Sequence, residues 1–149
     1  IFKNPKNQYI KDLIQRLNPD CFADFIKMEA IIRNSDHINN SDTFIDKTKL
    51  ITYREDIFNY ILKQADEINT GFALEIMYRV SRGRFTNGIP EHILHNLNEI
   101  NAEPWFIDTI QKIKFLNTKC YGVSEAQFDL AFSWYKINFP EIFEGIFNR

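Results

Sequence analysis

SEAQFDLAFSWYKINFPEIFEGIF, from Ser124 to Phe147, is the stretch whose reading decides the architecture. Seven of the chain's 22 aromatic residues fall in these 24 positions: Phe128, Phe132, Trp134, Tyr135, Phe139, Phe143 and Phe147. Two interleaved stripes at helical spacing run through it, Phe128, Ala131, Phe132, Tyr135 and Leu130, Trp134, Ile137. Together they cover most of a helix circumference. Such a helix is buried on several sides, or it buries one face and offers the other to a partner. Ser124-Glu125-Ala126-Gln127 reads as a capping box, so the spacing predicts a central helix that starts at Ser124. Asn138-Phe139-Pro140 stops it, and a short final helix follows. The seven aromatic residues are the candidate protein interface.

Upstream the helical period of roughly 3.6 residues recurs. Ile10, Leu13, Ile14 and Leu17 predict a helix over 7–17. Asn18-Pro19-Asp20 ends it and restarts the chain, with Pro19 at the first position of a helix reaching about Arg33. Residues 34–46 are the most polar stretch and predict a long exposed loop. Lys47 to Ile51 reads as a turn or short helix. Thr52-Tyr53-Arg54-Glu55 is a second capping box, opening a helix with Ile57, Phe58, Ile61, Leu62, Ala65 and Ile68. After Asn69-Thr70-Gly71 another helix carries Phe72, Ala73, Ile76, Met77 and Val80. Ser81 to Gly88 reads as a turn with two glycines. Pro90 and Pro104 each open a helix, the second reaching Leu116 or Asn117, and Cys120-Tyr121-Gly122 reads as a break. No stretch alternates with period two long enough for a strand; Lys49 to Tyr53 is the best candidate and is short. The prediction is an all-α fold of about seven or eight helices in one domain over 1–149, bundle-like or an irregular stack of helical hairpins. No self-similarity at a fixed period points to a regular repeat array.

Bulk properties narrow the function classes. A chain of 149 residues buries a full core without a metal or disulfide staple. With 18 basic and 20 acidic residues it has no global positive field, so contact with nucleic acid must come from a local patch. Cys21 and Cys120 are too few and too far apart for a disulfide framework or a zinc site, which predicts free thiols in a reducing, cytoplasmic setting. No apolar run is long enough to span a membrane. No cofactor motif is present: there is no phosphate-binding loop, no Gly-x-Ser-x-Gly elbow and no His-Glu-x-x-His.

Two basic clusters stand out. Arg79, Arg82 and Arg84, with Phe85, fall at a helix end and glycine turn, and no acid lies between Glu75 and Glu91. The planar arginine fork suits phosphate, and an aromatic ring suits base stacking. The same arginines also suit a helix C-terminus for its dipole alone. Lys112, Lys114 and Lys119 form a second cluster near Tyr121, with a solvated face as the plain alternative. His92, His95 and Glu99 can share one helix face, but a metal site needs ligands from other elements too, so no metal is assigned. Arg33 and His37 resemble the Arg…His pair of helical HEPN ribonucleases, at a shorter spacing, and no catalytic residue is assigned to them.

Trp105-Phe106 at a helix start, followed by Tyr121-Gly122-Val123-Ser124-Glu125-Ala126-Gln127, resembles a helical hairpin of phage and bacterial proteins of DNA replication and recombination. The resemblance covers about residues 103–137, with Val123 where leucine is usual, and it implies a nucleic-acid context. Three functions follow as expectations. The first is a non-catalytic adaptor module with a protein partner and a nucleic-acid contact at the arginine turn. The second is a small metal-dependent helical nuclease or phosphate-handling hydrolase. The third is a homo-oligomeric structural protein that self-associates through its aromatic face.

Overall fold

The computed structural model describes residues 8–33, 46–64 and 70–147. Among them are eight helices and no strand: α1 (Gln8–Leu17), α2 (Phe22–Arg33), α3 (Arg54–Gln64), α4 (Thr70–Ser81), α5 (Glu91–Glu99), α6 (Pro104–Lys112), α7 (Lys119–Asn138) and α8 (Pro140–Phe147). The all-α expectation holds. The loop predicted over 34–46 lies outside the described residues apart from Asp46, as does His37.

The core forms where the predicted apolar stripes meet. Ile57 and Ile61 of α3, Ala73, Ile76 and Val80 of α4, Ile93 and Leu97 of α5, and Phe106 and Ile110 of α6 share one buried cluster with Phe85, Ile113 and Leu116. Against it Tyr60 of α3 stacks on Phe106, with ring centroids 3.8 Å apart, and meets Trp105 edge-on. A second layer is built by α2, which packs on both α1 and α7. Leu17, Met28 and Ile31 close the α1 side, while Ile26, Ala30, Tyr53 and Ala126 close the α7 side. Burying these side chains removes apolar area from water at about 25 cal/mol per Å2, the main term holding the layers together.

Several boundaries differ from the sequence expectation, each for a local reason. α2 starts at Phe22 rather than Pro19, because Asn18 takes a positive φ of 47° and the Cys21 carbonyl accepts from Asp24 and Phe25 N–H. Asp24, now in the first turn and only 4% exposed, accepts from Asp20 N–H and from the Lys47 ammonium. Lys47 also donates to the Asn18 carbonyl at 2.9 Å, so the turn after the polar stretch is pinned to the α1–α2 corner. The lysine beside Asp24 holds its carboxyl below the usual carboxylate range.

The box opening α3 is shifted by one residue. Asp56, not Glu55, reaches back and accepts from Thr52 N–H, Tyr53 N–H and the Thr52 hydroxyl, each at 2.9 Å. Glu55 turns instead to α7 and accepts from Lys119 N–H at 2.8 Å. Asp56→Ala therefore leaves three donors without their acceptor and is expected to cost about 1–2 kcal/mol, read from urea unfolding. A loss below about 0.5 kcal/mol would show the cap to be dispensable.

The largest correction concerns the last long helix. α7 starts at Lys119, capped by the Thr118 hydroxyl, and runs through Cys120-Tyr121-Gly122 without a break. Ser124 is interior to it, and its hydroxyl donates to the Cys120 carbonyl one turn back. α6 ends at Lys112, and residues 113–118 are a non-helical connector. The expected central burial is also absent. Within α7 only Gly122 and Ala126 are buried, and the helix leaves the body of the fold as it proceeds. The alternative, one core face and one exposed face, is what the structure adopts.

Candidate nucleic-acid interface

The arginine turn is built by the way α4 ends. Gly83 follows the helix with φ of 65°; its N–H bonds to the Val80 carbonyl and the Arg84 N–H reaches the Arg79 carbonyl. These two bonds make a Schellman motif, which places a glycine at the left-handed position. The Thr86 hydroxyl closes on the Gly83 carbonyl at 2.9 Å. Phe85 then drops into the core and is 0% exposed. Phe85 is thus unavailable for base stacking, contrary to the sequence expectation; it anchors the loop from below.

The absent Cβ of Gly83 is filled by the α6–α7 connector. A Cβ at this position would lie 2.5 Å from the Lys114 carbonyl oxygen. Leu116 N–H donates to the Ser81 carbonyl at 3.1 Å, fixing the connector alongside the end of α4. Two sequence-distant, acid-free stretches, 76–90 and 109–124, are thereby brought side by side. They contain Arg79, Arg82, Arg84, Lys112, Lys114 and Lys119.

These six cations are not equivalent. Arg79 is engaged by Glu75 one turn back, at 2.8 Å, and Lys112 by Asp108. Arg82 lies with its guanidinium 4.3 Å from the Tyr78 ring centroid, a cation–π arrangement that leaves the fork's edges open. Arg84, Lys114 and Lys119 are exposed. Tyr78 and Phe115 are each 53% exposed. They are the aromatic groups this surface offers in place of Phe85, and the sequence reading passed over both. Tyr78 lies off the Ala73–Ile76–Val80 stripe and four residues before Arg82, which is the signal that would have found it. Phe115 sits in a connector that the sequence reading placed inside a helix.

The aromatic face is separate. Phe128, Trp134, Tyr135, Ile137, Ile142 and Ile146 are each more than half exposed. Phe128 packs on Phe132, which meets Phe143 edge-on, while Phe139 contacts both Trp134 and Tyr135. Phe132, Tyr135, Phe139 and Phe143 line an open groove with Ile142 and Ile146. Phe143 is itself buried beneath these rings, and the Phe147 side chain lies outside the described set.

The remaining candidates stay dispersed. His92, His95 and Glu99 are all exposed, and His95 pairs with Glu99 one turn on, at 3.3 Å. Among the described residues Asp20, Cys21 and Asp24 are the one trio close enough to share a cation, and the Lys47 ammonium already sits on its two carboxylates. Cys21 and Cys120 are both free and exposed. Arg33 is bound to Glu125 and lies 5.1 Å from the Tyr121 ring centroid. No described helix is long and apolar enough to cross a membrane.

No family model and no solved structure matches this sequence. The chain is, however, similar along most of its length to part of several large bacterial proteins. It is 29% identical over 138 residues to the DNA polymerase III PolC-type of Ureaplasma parvum serovar 3, covering 89% of this chain and 9% of that protein. It is 22% identical over 139 residues to the DNA polymerase III PolC-type of Thermotoga maritima, covering 89% and 10%. With that of Bacillus cereus the identity is 21% over 142 residues, covering 91% and 10%. The chain spans about a tenth of the length of these relatives, and its similarity is to bacterial DNA replication proteins.

Proposed function

We propose that this chain is a non-catalytic helical module of a DNA-replication assembly that holds a nucleic-acid backbone on the joined surface of the arginine turn and the α6–α7 connector. The observation that carries the reading is the seating of Gly83 on the Lys114 backbone, which unites two acid-free basic stretches into one face. Arg82 and Arg84 contact phosphate there, while Tyr78 and Phe115 offer ring faces to bases. Similarity to polymerase III PolC-type proteins supplies the replication context. The exposed α7–α8 face is where the module docks on further protein, since contiguous apolar surface of this kind marks interaction sites.

Fluorescence anisotropy with labelled single- and double-stranded DNA at two salt concentrations tests the contact. The parent is expected to bind with an affinity that falls steeply with salt. Arg82→Ala with Arg84→Ala is expected to weaken binding about tenfold or more, equally across sequences, and to lower the log–log salt slope by about two. A parent that shows no binding at low salt would remove the nucleic-acid role.

A further inference from the structure

The α6–α7 connector, residues 113–118, has an exposed tyrosine paired with an arginine beside each of its ends. Its first part lies against the end of α4, where Gly83 leaves room for the Lys114 backbone and Leu116 N–H donates to the Ser81 carbonyl. There the Arg82 guanidinium lies over one face of the Tyr78 ring, 4.3 Å from its centroid. At the other end the Asn117 carbonyl accepts from Arg54 N–H, Thr118 caps α7, and Tyr121 stands in the first turn of that helix. There the Arg33 guanidinium lies 5.1 Å from the Tyr121 ring centroid. Arg33, Leu116, Asn117 and Tyr121 border one shallow depression, so the second pair is continuous with the connector. Both tyrosines are exposed. The charge differs between the ends. Arg82 belongs to the acid-free stretch 76–90, whereas Arg33 is bound to Glu125, and Glu55 accepts from Lys119 N–H while paired with Arg54. Arg82 therefore adds positive charge to the surface, and Arg33 acts mainly as a brace behind its ring.

We infer that the nucleic acid on this surface is a single strand, laid along the connector with bases stacked on Tyr78 and Tyr121; the inference rests on the backbone contact proposed above. A guanidinium over one face of an exposed ring steadies the ring and leaves its opposite face for a base. In a duplex every base is already paired and stacked, and a protein reaches only base edges through the grooves. Reading those edges takes a helix or a two-stranded ribbon that enters the groove. This surface is instead a helix C-terminus, a glycine turn and an irregular connector. A single strand can turn its bases onto the rings while its phosphates face Arg82, Arg84 and Lys119. Six connector residues reach at most about 20 Å. That is the length of no more than about six nucleotides at the 3.4 Å spacing of a stacked strand, so one short strand can meet both rings.

Anisotropy of the whole chain at low salt with three labelled probes tests this: oligo(dT), an abasic strand of the same length, and a hairpin duplex with as many phosphates. The abasic strand keeps the charges and removes the bases. Oligo(dT) is expected to bind about fivefold or more tighter than either of the others, the effect of one stacked base. Tyr78→Leu with Tyr121→Leu is expected to remove that preference and to leave duplex binding and the salt slope unchanged, since no cation is lost. Tyr78→Phe with Tyr121→Phe keeps both rings and should bind as the parent does. A duplex or an abasic strand bound as tightly as oligo(dT) overturns the single-strand inference and leaves the backbone contact standing, as does a leucine pair that keeps the preference. Absence of binding to all three probes overturns the backbone contact itself. If the leucine pair does not fold, the parent's three affinities decide alone.

Discussion

Gly122→Ala is expected to destabilise the protein by about 3 kcal/mol or more, although alanine is the better helix former by up to about 1 kcal/mol. The reason is Tyr53. A Cβ on residue 122 would lie 1.9 Å from the Tyr53 hydroxyl oxygen and 2.2 Å from the ring carbon that bears it. Tyr53 cannot swing aside, because it is 2% exposed and its hydroxyl is held by the Ile26 carbonyl. Burial also raises the hydroxyl's pKa above its usual value, which keeps it a donor. The ring thus crosses from the start of α3 to α2 over the bare backbone of α7, and one methyl group on α7 displaces it. Chemical denaturation of Gly122→Ala measures the loss. Gly145→Ala, where a Cβ meets nothing within 4 Å, is the control and is expected to be neutral or mildly stabilising. A double-mutant cycle with Tyr53→Leu completes the test: the two losses should be far from additive, since each removes the same contact. A Gly122→Ala protein as stable as the parent would show that Tyr53 does not pin the three elements together.

Gly83→Ala is the second substitution expected to have a large effect, and it reaches the candidate site as well as the fold. The residue has φ of 65°, where a Cβ costs about 1–2 kcal/mol by itself. The added Cβ would also meet the Lys114 carbonyl oxygen at 2.5 Å and the Lys114 Cα at 3.1 Å. Both obstacles are backbone, so relief requires the connector to move and the bond from Leu116 N–H to the Ser81 carbonyl to stretch. The total is expected to be about 3 kcal/mol, with looser apposition of the arginine turn and the lysine connector. Urea unfolding reads the first effect. DNA anisotropy on the folded variant reads the second, as a several-fold weakening with every charge retained. Unchanged affinity in a measurably destabilised variant would show that the two basic stretches act independently.

The fold was largely legible because its helices carry clean apolar stripes and local stops. Ile57 and Ile61, or Ile93 and Leu97, sit at helical spacing and end up in one core, and Pro104 opens α6 as its fixed φ leads one to expect. What misled was capping chemistry that fits more than one register. Ser124-Glu125-Ala126-Gln127 has the composition of a helix start, but Thr118 caps α7 two turns earlier. Thr52 and Glu55 have the box spacing, yet Asp56 is the residue that reaches back, because Glu55 is drawn to the α7 amide at Lys119. Such choices are made by partners distant in sequence, and no local window contains them. The candidate site was half legible. The arginines and lysines were visible as clusters, but their meeting depends on Gly83 receiving a carbonyl from residue 114. Phe85 illustrates the same limit: a phenylalanine between Arg84 and Thr86 in a turn reads as exposed, whereas the turn folds it under.

Phe85 has a consequence for how this loop can change over generations. The shape of the turn is held by an inward ring, a glycine and two backbone bonds, and none of these involves the side chains of Arg82 or Arg84. Surface charge here can therefore be gained, lost or exchanged one codon at a time with little effect on folding. The anchor cannot drift in the same way, because removing a large buried aromatic side chain costs several kcal/mol, on the order of 3–5. Affinity for a polyanion and persistence of the fold are thus set by different residues of the same short loop, and selection can act on either one alone.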